Sequence, residues 1–390
     1  MRGVALALVL AFGWANRAGC CWLAGHAPYT VRKALPAQGA PAPGPAEPPV
    51  LRALVFADFG DTTCQQAAVA RGMAAAHARA PFDLALSAGD NLYECGPDPR
   101  LPGAAACAFA ADANAAQPGY TPPEDPRFGK LFEGPLSQLL RAGQPIPVYL
   151  ALGNHDQNSD SRCQEGDLEP VRLGRTRACL EVAHRGPHWR MPGRHYVVDE
   201  GPGRFVVLDS NLLIRDYGGF TLDDEVAFLH EATKGCERRP CFVVAHHPPA
   251  SAGGKGDGDV YAGPDRFAER VRRLQEAASA PIAAWFAGHD HDLQHLRSPA
   301  GYDVFVSGNG SRWRDEKFER VRPPDAELFF ASTAWGFAVL EISPGGWSVR
   351  FEDDAGAPLH CCTATFPGSC RPAACGPAPL GPSAREPPPR

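Results

Sequence analysis

The chain has 390 residues, 44% of them hydrophobic, enough to bury one large core or two ordinary ones. A formal net charge of −6 leaves no basic stripe, which argues against a nucleic-acid scaffold as partner. Glycine (41) and proline (40) are abundant enough to predict many irregular loops.

In chain order, Arg2 followed by the apolar run Val4 to Ala15 reads as an export signal over residues 1–20, because the run is too short to cross a bilayer. Ala18-Gly19-Cys20 is similar to the end of a lipoprotein box, although Arg17 stands where that motif takes an aliphatic residue. A lipid on Cys20 is the one membrane link that the sequence offers, and the expected location is periplasmic, cell-surface or secreted. Residues 21–50 read as a Pro/Ala-rich linker, 51–352 as the catalytic domain and 353–390 as a Cys- and Pro-rich tail, disordered from 363 onward. Within the domain, strands are expected at 51–57, 82–87, 146–152, 204–208, 241–245 and 282–287, with shorter β runs at 302–307, 335–342 and 347–351. Helices are expected at 62–79, 128–142, 222–234 and from Pro264, where Phe267, Val271 and Leu274 form a narrow stripe that packs on a sheet. Residues 95–127 form a Pro, Gly and Ala insertion, and 157–195 read as a long stapled loop. The alternation gives a sheet-based α/β domain with a β-rich second half.

Thirteen cysteines without zinc-knuckle spacing point to disulfides formed in an oxidising compartment. Proximity suggests Cys95 with Cys107, Cys163 with Cys179 and Cys236 with Cys241, beside a group at Cys361, Cys362, Cys370 and Cys375.

Five short clusters carry the chemistry: Asp58-Phe59-Gly60, Gly89-Asp90-Asn91-Leu92-Tyr93, Gly153-Asn154-His155-Asp156, His246-His247-Pro248 and Gly288-His289-Asp290-His291. Each follows an apolar run, so each sits where a buried strand delivers polar residues at its carboxyl end, the edge along which open α/β sheets build sites. Two close cations need several oxygen and nitrogen ligands and one carboxylate that spans both. Asp90 is the natural bridge, Asp58 a second carboxylate, and Asn154 and His246 a less charged half-site. His289 and His291 are two apart, so they point one way on an extended segment and reach different metals on a bent one. Tyr93 has two readings, a phenolate ligand to a highly charged cation such as Fe³⁺, or a ring packed at the pocket wall. His247 and Asp290 stand beside ligands and are read as packing residues, and His295 as a neighbour of the last cluster. No Gly-x-Ser-x-Gly elbow is present, so the sequence lacks that serine-hydrolase signature.

The ordered set D-F-G, G-D-N-L-Y, G-N-H-D, V-V-A-H-H-P and G-H-D-H-D-L-Q resembles the purple acid phosphatases, specifically their small tartrate-resistant type, within the calcineurin-like metallophosphoesterase superfamily. The similarity covers roughly residues 50–350. Many other superfamily members open with Asp-x-His, whereas here Asp58-Phe59-Gly60 lacks that His and Tyr93 is present, as in the purple enzymes. The resemblance implies two packed mixed β-sheets flanked by helices. It implies Fe³⁺ held by Asp58, Asp90, Tyr93 and His291, and a divalent ion (Fe²⁺, Zn²⁺ or Mn²⁺) held by Asp90, Asn154, His246 and His289. Nine residues after His246, where the small enzymes carry a substrate-facing His, this chain has Lys255, either a point charge for phosphoryl oxygens or a solvated loop residue. The expected activity is hydrolysis of phosphate monoesters by metal-activated hydroxide, with His155 as proton donor and Asp156 as its orienting partner. A phosphodiesterase on nucleotides or lipid head groups, and a silent metal-binding secreted protein, are the alternatives.

Overall fold

Side chains along a strand alternate between two faces, and in this chain both faces of the central strands are apolar, so each sheet must be covered on both sides. The computed structural model describes residues 31–32, 51–110, 114–157, 170–254, 264–314, 317–318 and 320–376. The export signal, most of the linker, Cys163 and Lys255 lie outside the described residues.

The strands are β1 (Val31–Arg32), β2 (Leu51–Phe56), β3 (Leu84–Ser87), β4 (Leu140–Arg141), β5 (Gln144–Pro145), β6 (Val148–Leu150), β7 (Trp189–Arg190), β8 (Tyr196–Glu200) and β9 (Gly203–Val207). They continue as β10 (Cys241–Val244), β11 (Ala284–Ala287), β12 (Leu293–Arg297), β13 (Asp303–Ser307), β14 (Glu327–Ser332), β15 (Gly336–Ser343), β16 (Gly346–Asp353), β17 (Pro358–Thr365) and β18 (Arg371–Ala373). One sheet has the order β18-β17-β16-β15-β2-β3-β6-β7, the other β1-β14-β12-β13-β11-β10-β9-β8. Each contains a parallel block, β2-β3-β6-β7 in the first and β9-β10-β11-β13 in the second. Antiparallel strands flank both blocks.

The register turns Phe205, Phe242, Phe286 and Phe305 toward the other sheet, where they join Leu340, Trp347 and Phe351 in one core. Phe242 meets Trp347 edge to face at 5.4 Å between ring centroids. The alternate residues Val206, Val243, Trp285 and Val304 face outward. Helices Leu222–Ala232 and Pro264–Glu276 cover them, the second through Phe267, Val271 and Leu274 as its spacing predicts. Helix Cys64–Arg79 starts where Thr63 Oγ1 accepts from the Gln66 amide at 3.0 Å, and buries Val69, Met73 and Ala76.

Several expectations are corrected. The helix expected at 128–142 ends early: a π-helical segment Phe128–Glu133 passes into Gly134–Leu136 and stops. β4 and β5 follow as a hairpin, whose turn is made by Ala142 and Gly143 with φ of 51° and 76°. The supposed loop at 157–195 contains helix Pro170–Ala183 and the strand β7. Where disorder was expected from 363 onward, β17 and β18 extend the first sheet. The prolines of this tail fit that sheet: Pro358 opens β17 and Pro372 lies on the edge strand β18, where a missing N–H is tolerated. Within the presumed linker, β1 pairs antiparallel with β14.

Cys236 pairs with Cys241 as expected. Cys107, however, pairs with Cys179, which overturns both the Cys95–Cys107 and Cys163–Cys179 pairings. These two partners are 72 residues apart, so only the packing of Pro170–Ala183 beside the 3₁₀ turn Ala104–Ala106 brings them together. Cys361–Cys375 and Cys362–Cys370 close the final hairpin on itself.

Candidate dinuclear metal site

The five clusters meet because the carboxyl ends of both parallel blocks open toward the same side of the sandwich. Asp58 follows β2, Asp90 follows β3, Asn154 follows β6, His246 follows β10, and His289 and His291 follow β11. Asp58, Asp90 and His289 have φ of 54°, 53° and 69°, left-handed backbone that costs a non-glycine residue of order 1–3 kcal/mol and turns each chain sharply off its strand. Glycines allow the close approach. A Cβ on Gly153 would lie 2.1 Å from Asp90 Oδ1, and one on Gly288 would lie 2.4 Å from Asp58 Oδ2.

The side chains fall into two halves that share Asp90. On one side the Tyr93 hydroxyl lies 2.8 Å from Asp58 Oδ1 and 2.8 Å from Asp90 Oδ2. His291 Nε2 completes this half, 3.4 Å from the Tyr93 oxygen and 3.3 Å from Asp58 Oδ1. On the other side His246 Nε2 lies 3.0 Å and His289 Nδ1 2.9 Å from Asn154 Oδ1. His246 Nε2 is also 3.4 Å from Asp90 Oδ1, so the two oxygens of Asp90 face opposite halves. The Ala88 carbonyl accepts from His246 Nδ1 at 2.9 Å, which leaves the Nε2 lone pair aimed into the site. The bent Gly288–His291 segment sends its two imidazoles to different halves. The Tyr93 hydroxyl points between the two carboxylates and hydrogen-bonds to both.

The electrostatics describe a site built for cations. Burial lifts Asp58 to about 7, with Asp90 adding repulsion against the opposing pull of His246. Burial also pushes Asp90 upward, but His246, His155 and the His155 amide outweigh it and hold that carboxyl below its usual range. Tyr93 is raised well above 10 by burial and then by the Asp58 and Asp90 charges. Two carboxylates, a phenol, an amide oxygen and three imidazoles converge out of water, a donor set that fits two hard or borderline cations bridged by Asp90.

His155 is largely buried at the edge of this group. Its Nδ1 lies 2.7 Å from the Glu94 carbonyl, its Nε2 3.9 Å from Asp90 Oδ2, and its ring 4.6 Å from that of Tyr93. Asp156 is not its partner. The Asp156 carboxylate accepts instead from the amides of Gly153, Asn91 and Leu92, because the 91–92 turn points those donors at it. Glu181, raised well above its ordinary value by burial and by Asp156, hydrogen-bonds to the same carboxylate. His247 packs beside the site with its ring 4.6 Å from that of His289 and its Nδ1 3.0 Å from Ser210 Oγ. Asp290 accepts from Ser251 Oγ, and His295 joins His360 at 2.9 Å and Asp303 at 3.2 Å in a separate buried network.

Three neighbours were not anticipated. Glu94 orients His155, Glu181 backs Asp156, and Arg312 places its guanidinium carbon 4.3 Å over the Tyr93 ring. Glu94 sits beside a ligand in the sequence and was open to notice. Arg312 lies in no motif, and nothing in the sequence points to it.

Residues 51–293 match the calcineurin-like phosphoesterase family. The chain belongs to that family. Among its relatives, tartrate-resistant acid phosphatase type 5 of Mus musculus is 23% identical over 345 residues, 81% of this chain and 90% of that protein. Purple acid phosphatase 3 of Arabidopsis thaliana is 24% identical over 80% of this chain and 77% of its own length. Among solved structures, the purple acid phosphatase PPD1 from yellow lupin aligns with a TM-score of 0.56 at 14% identity, covering 83% of this chain and 55% of that one. GAP50, the anchor in the inner membrane complex of Plasmodium, aligns with a TM-score of 0.55 at 17% identity, covering 82% and 90%. Both structures share the fold described above. No helix among the described residues is long and apolar enough to cross a membrane.

Proposed function

We propose that this calcineurin-like phosphoesterase is an exported acid phosphatase that hydrolyses phosphate monoesters at a binuclear metal centre. Asp58, Tyr93 and His291 would hold Fe³⁺, while Asn154, His246 and His289 would hold Fe²⁺, Zn²⁺ or Mn²⁺, with Asp90 shared between them. The observation that carries this reading is the placement of Asp90 and Tyr93: one Asp90 oxygen faces each half, and the phenol oxygen lies 2.8 Å from both carboxylates of its own half. A phenol held there loses its proton only to a strongly charged cation, which favours the trivalent ion on that side. When bound, the metal pair supplies Lewis acidity and a water whose pKa falls from 15.7 toward ~7.

The chain's own groups do the rest. His155 Nδ1–H donates to the Glu94 carbonyl, which turns Nε2 toward the site as the ring position that would pass a proton to the departing alkoxide. The left-handed turns at Asp58, Asp90 and His289 already aim these side chains into the site, so little reorganisation would be needed during reaction. Asp156 holds the Asp90 and Asn154 loops together through their amides rather than orienting His155. Lys255 would bind phosphoryl oxygens as a point charge. The disulfides support an oxidising, exported location, with Cys20 as the site of any lipid anchor.

The test is a visible absorption spectrum of purified protein and of Tyr93→Phe, together with turnover of an aryl phosphate and its diester. A broad band that vanishes in the variant, with the monoester preferred, is the expected result. A colourless active protein would remove the Fe³⁺ assignment, and faster diester turnover would make the protein a phosphodiesterase.

A further inference from the structure

Arg312 reaches the site from the segment after β13, far in sequence from every ligand. Its guanidinium carbon lies 4.3 Å from the centroid of the Tyr93 ring. Nη2 donates to Glu94 Oε2 at 2.8 Å, and Nε stands 2.7 Å from Asp61 Oδ2. The residue before it is fastened to the same region: Ser311 Oγ donates to the Asp58 carbonyl at 2.6 Å, and Thr63 Oγ1 to the Ser311 carbonyl at 3.2 Å. One planar cation therefore ties together the loops that follow β2, β3 and β13, and lies over the Tyr93 ring.

We infer that Arg312 is a positioning residue that fixes the Tyr93 ring and tunes it electronically as a metal ligand. The inference rests on the proposed Tyr93–Fe³⁺ pairing. A guanidinium is attracted to an aromatic face by the ring's electron density, and a phenolate ring carries more of it than a phenol. Its planar fork also meets two carboxylates while stacking, which the round ammonium of lysine does not reproduce. Asp61 and Glu94 hold the cation in place and offset part of its field. Light absorption by such a pair moves an electron from the ring toward the metal. A positive charge over the ring stabilises the filled ring orbital and raises the energy of that transition, whereas nearby negative charge lowers it.

The experiment records the visible band of the iron-loaded protein and of three variants. Arg312→Gln should shift the maximum to longer wavelength, on the order of ten nanometres or more, because the positive charge over the ring face is gone. Arg312→Lys should fall between Arg312→Gln and wild type. Asp61→Asn should shift the band the other way, since it leaves the guanidinium less compensated. A purely structural loosening would not give shifts of opposite sign. A band in wild type that stays put in Arg312→Gln overturns this inference alone. A wild type with no band overturns the Tyr93–iron pairing and this inference with it. If Arg312→Gln does not fold, the sign of the Asp61→Asn shift decides, shorter wavelength supporting the inference and no shift or the reverse overturning it.

Discussion

Replacing Asp156 by alanine should loosen both ligand loops at once. The fully buried carboxylate accepts from the amides of Gly153 at 2.7 Å, Asn91 at 2.9 Å and Leu92 at 3.1 Å. It also accepts from Asn91 Nδ2 at 3.1 Å. It thus joins the segment carrying Asp90 and Tyr93 to the segment carrying Asn154 and His155. Alanine leaves three buried backbone donors without an acceptor, at about 1–3 kcal/mol each. Against this, burial and repulsion from Asp90 lift Asp156 to about 7, and both penalties vanish with the carboxylate. The net expectation is about 3–5 kcal/mol of lost stability. Asparagine retains one acceptor oxygen and turns its amide toward Glu181, so roughly half that loss is expected. Urea denaturation of the metal-free protein, followed by metal analysis of the reconstituted protein, reads both effects. Asp156→Ala should unfold at lower urea and retain less than two metals. An unchanged midpoint with full metal content would refute the argument that this carboxylate organises the two loops.

Removal of metal should make stability depend on pH in a stated direction. Burial raises both Asp58 and Asp156 from 3.8 to about 7, so between those values the folded apoprotein keeps protons that the unfolded chain has released. Stability from these groups therefore falls as pH rises through that window, while Asp90, held low, contributes above 3.8 and is lost only in acid. Buried His184, His247, His295 and His360, all held below 6.5, pull the total the other way, so the carboxylate contribution is read as a difference: metal-free Asp58→Asn should gain urea resistance over metal-free wild type as pH rises from about 5 to about 7.5, and a constant difference across that window would contradict it. The Cys107–Cys179 bond closes a loop of 72 residues, so the double Cys→Ser variant should lose about 4 kcal/mol. Removing Cys236–Cys241, only five residues apart, should lose about 2 kcal/mol by the same reasoning, and equal losses in urea titrations would count against it.

The sequence by itself determined the types of the candidate ligands and their places at strand ends. A buried apolar run followed at once by Asp, Asn or His leaves the polar residue one position to go, the carboxyl edge of the sheet, and that local rule located Asp58, Asp90, Asn154, His246, His289 and His291. It also placed the stripe Phe267, Val271 and Leu274 against a sheet, because helical period is local. Only the tertiary structure decided that the two Asp90 oxygens face different halves and that His289 and His291 part company. It alone showed that Asp156 serves amides rather than His155, and that Cys107 finds Cys179. The tail entered the sheet for the same reason, since a proline is tolerated or not according to whether its strand lies at an edge. Arg312 is the clearest case, 218 residues from Glu94 along the chain and 2.8 Å away in space. Hydrogen bonds and Coulomb forces act over a few ångströms, so they register only the neighbours that folding supplies.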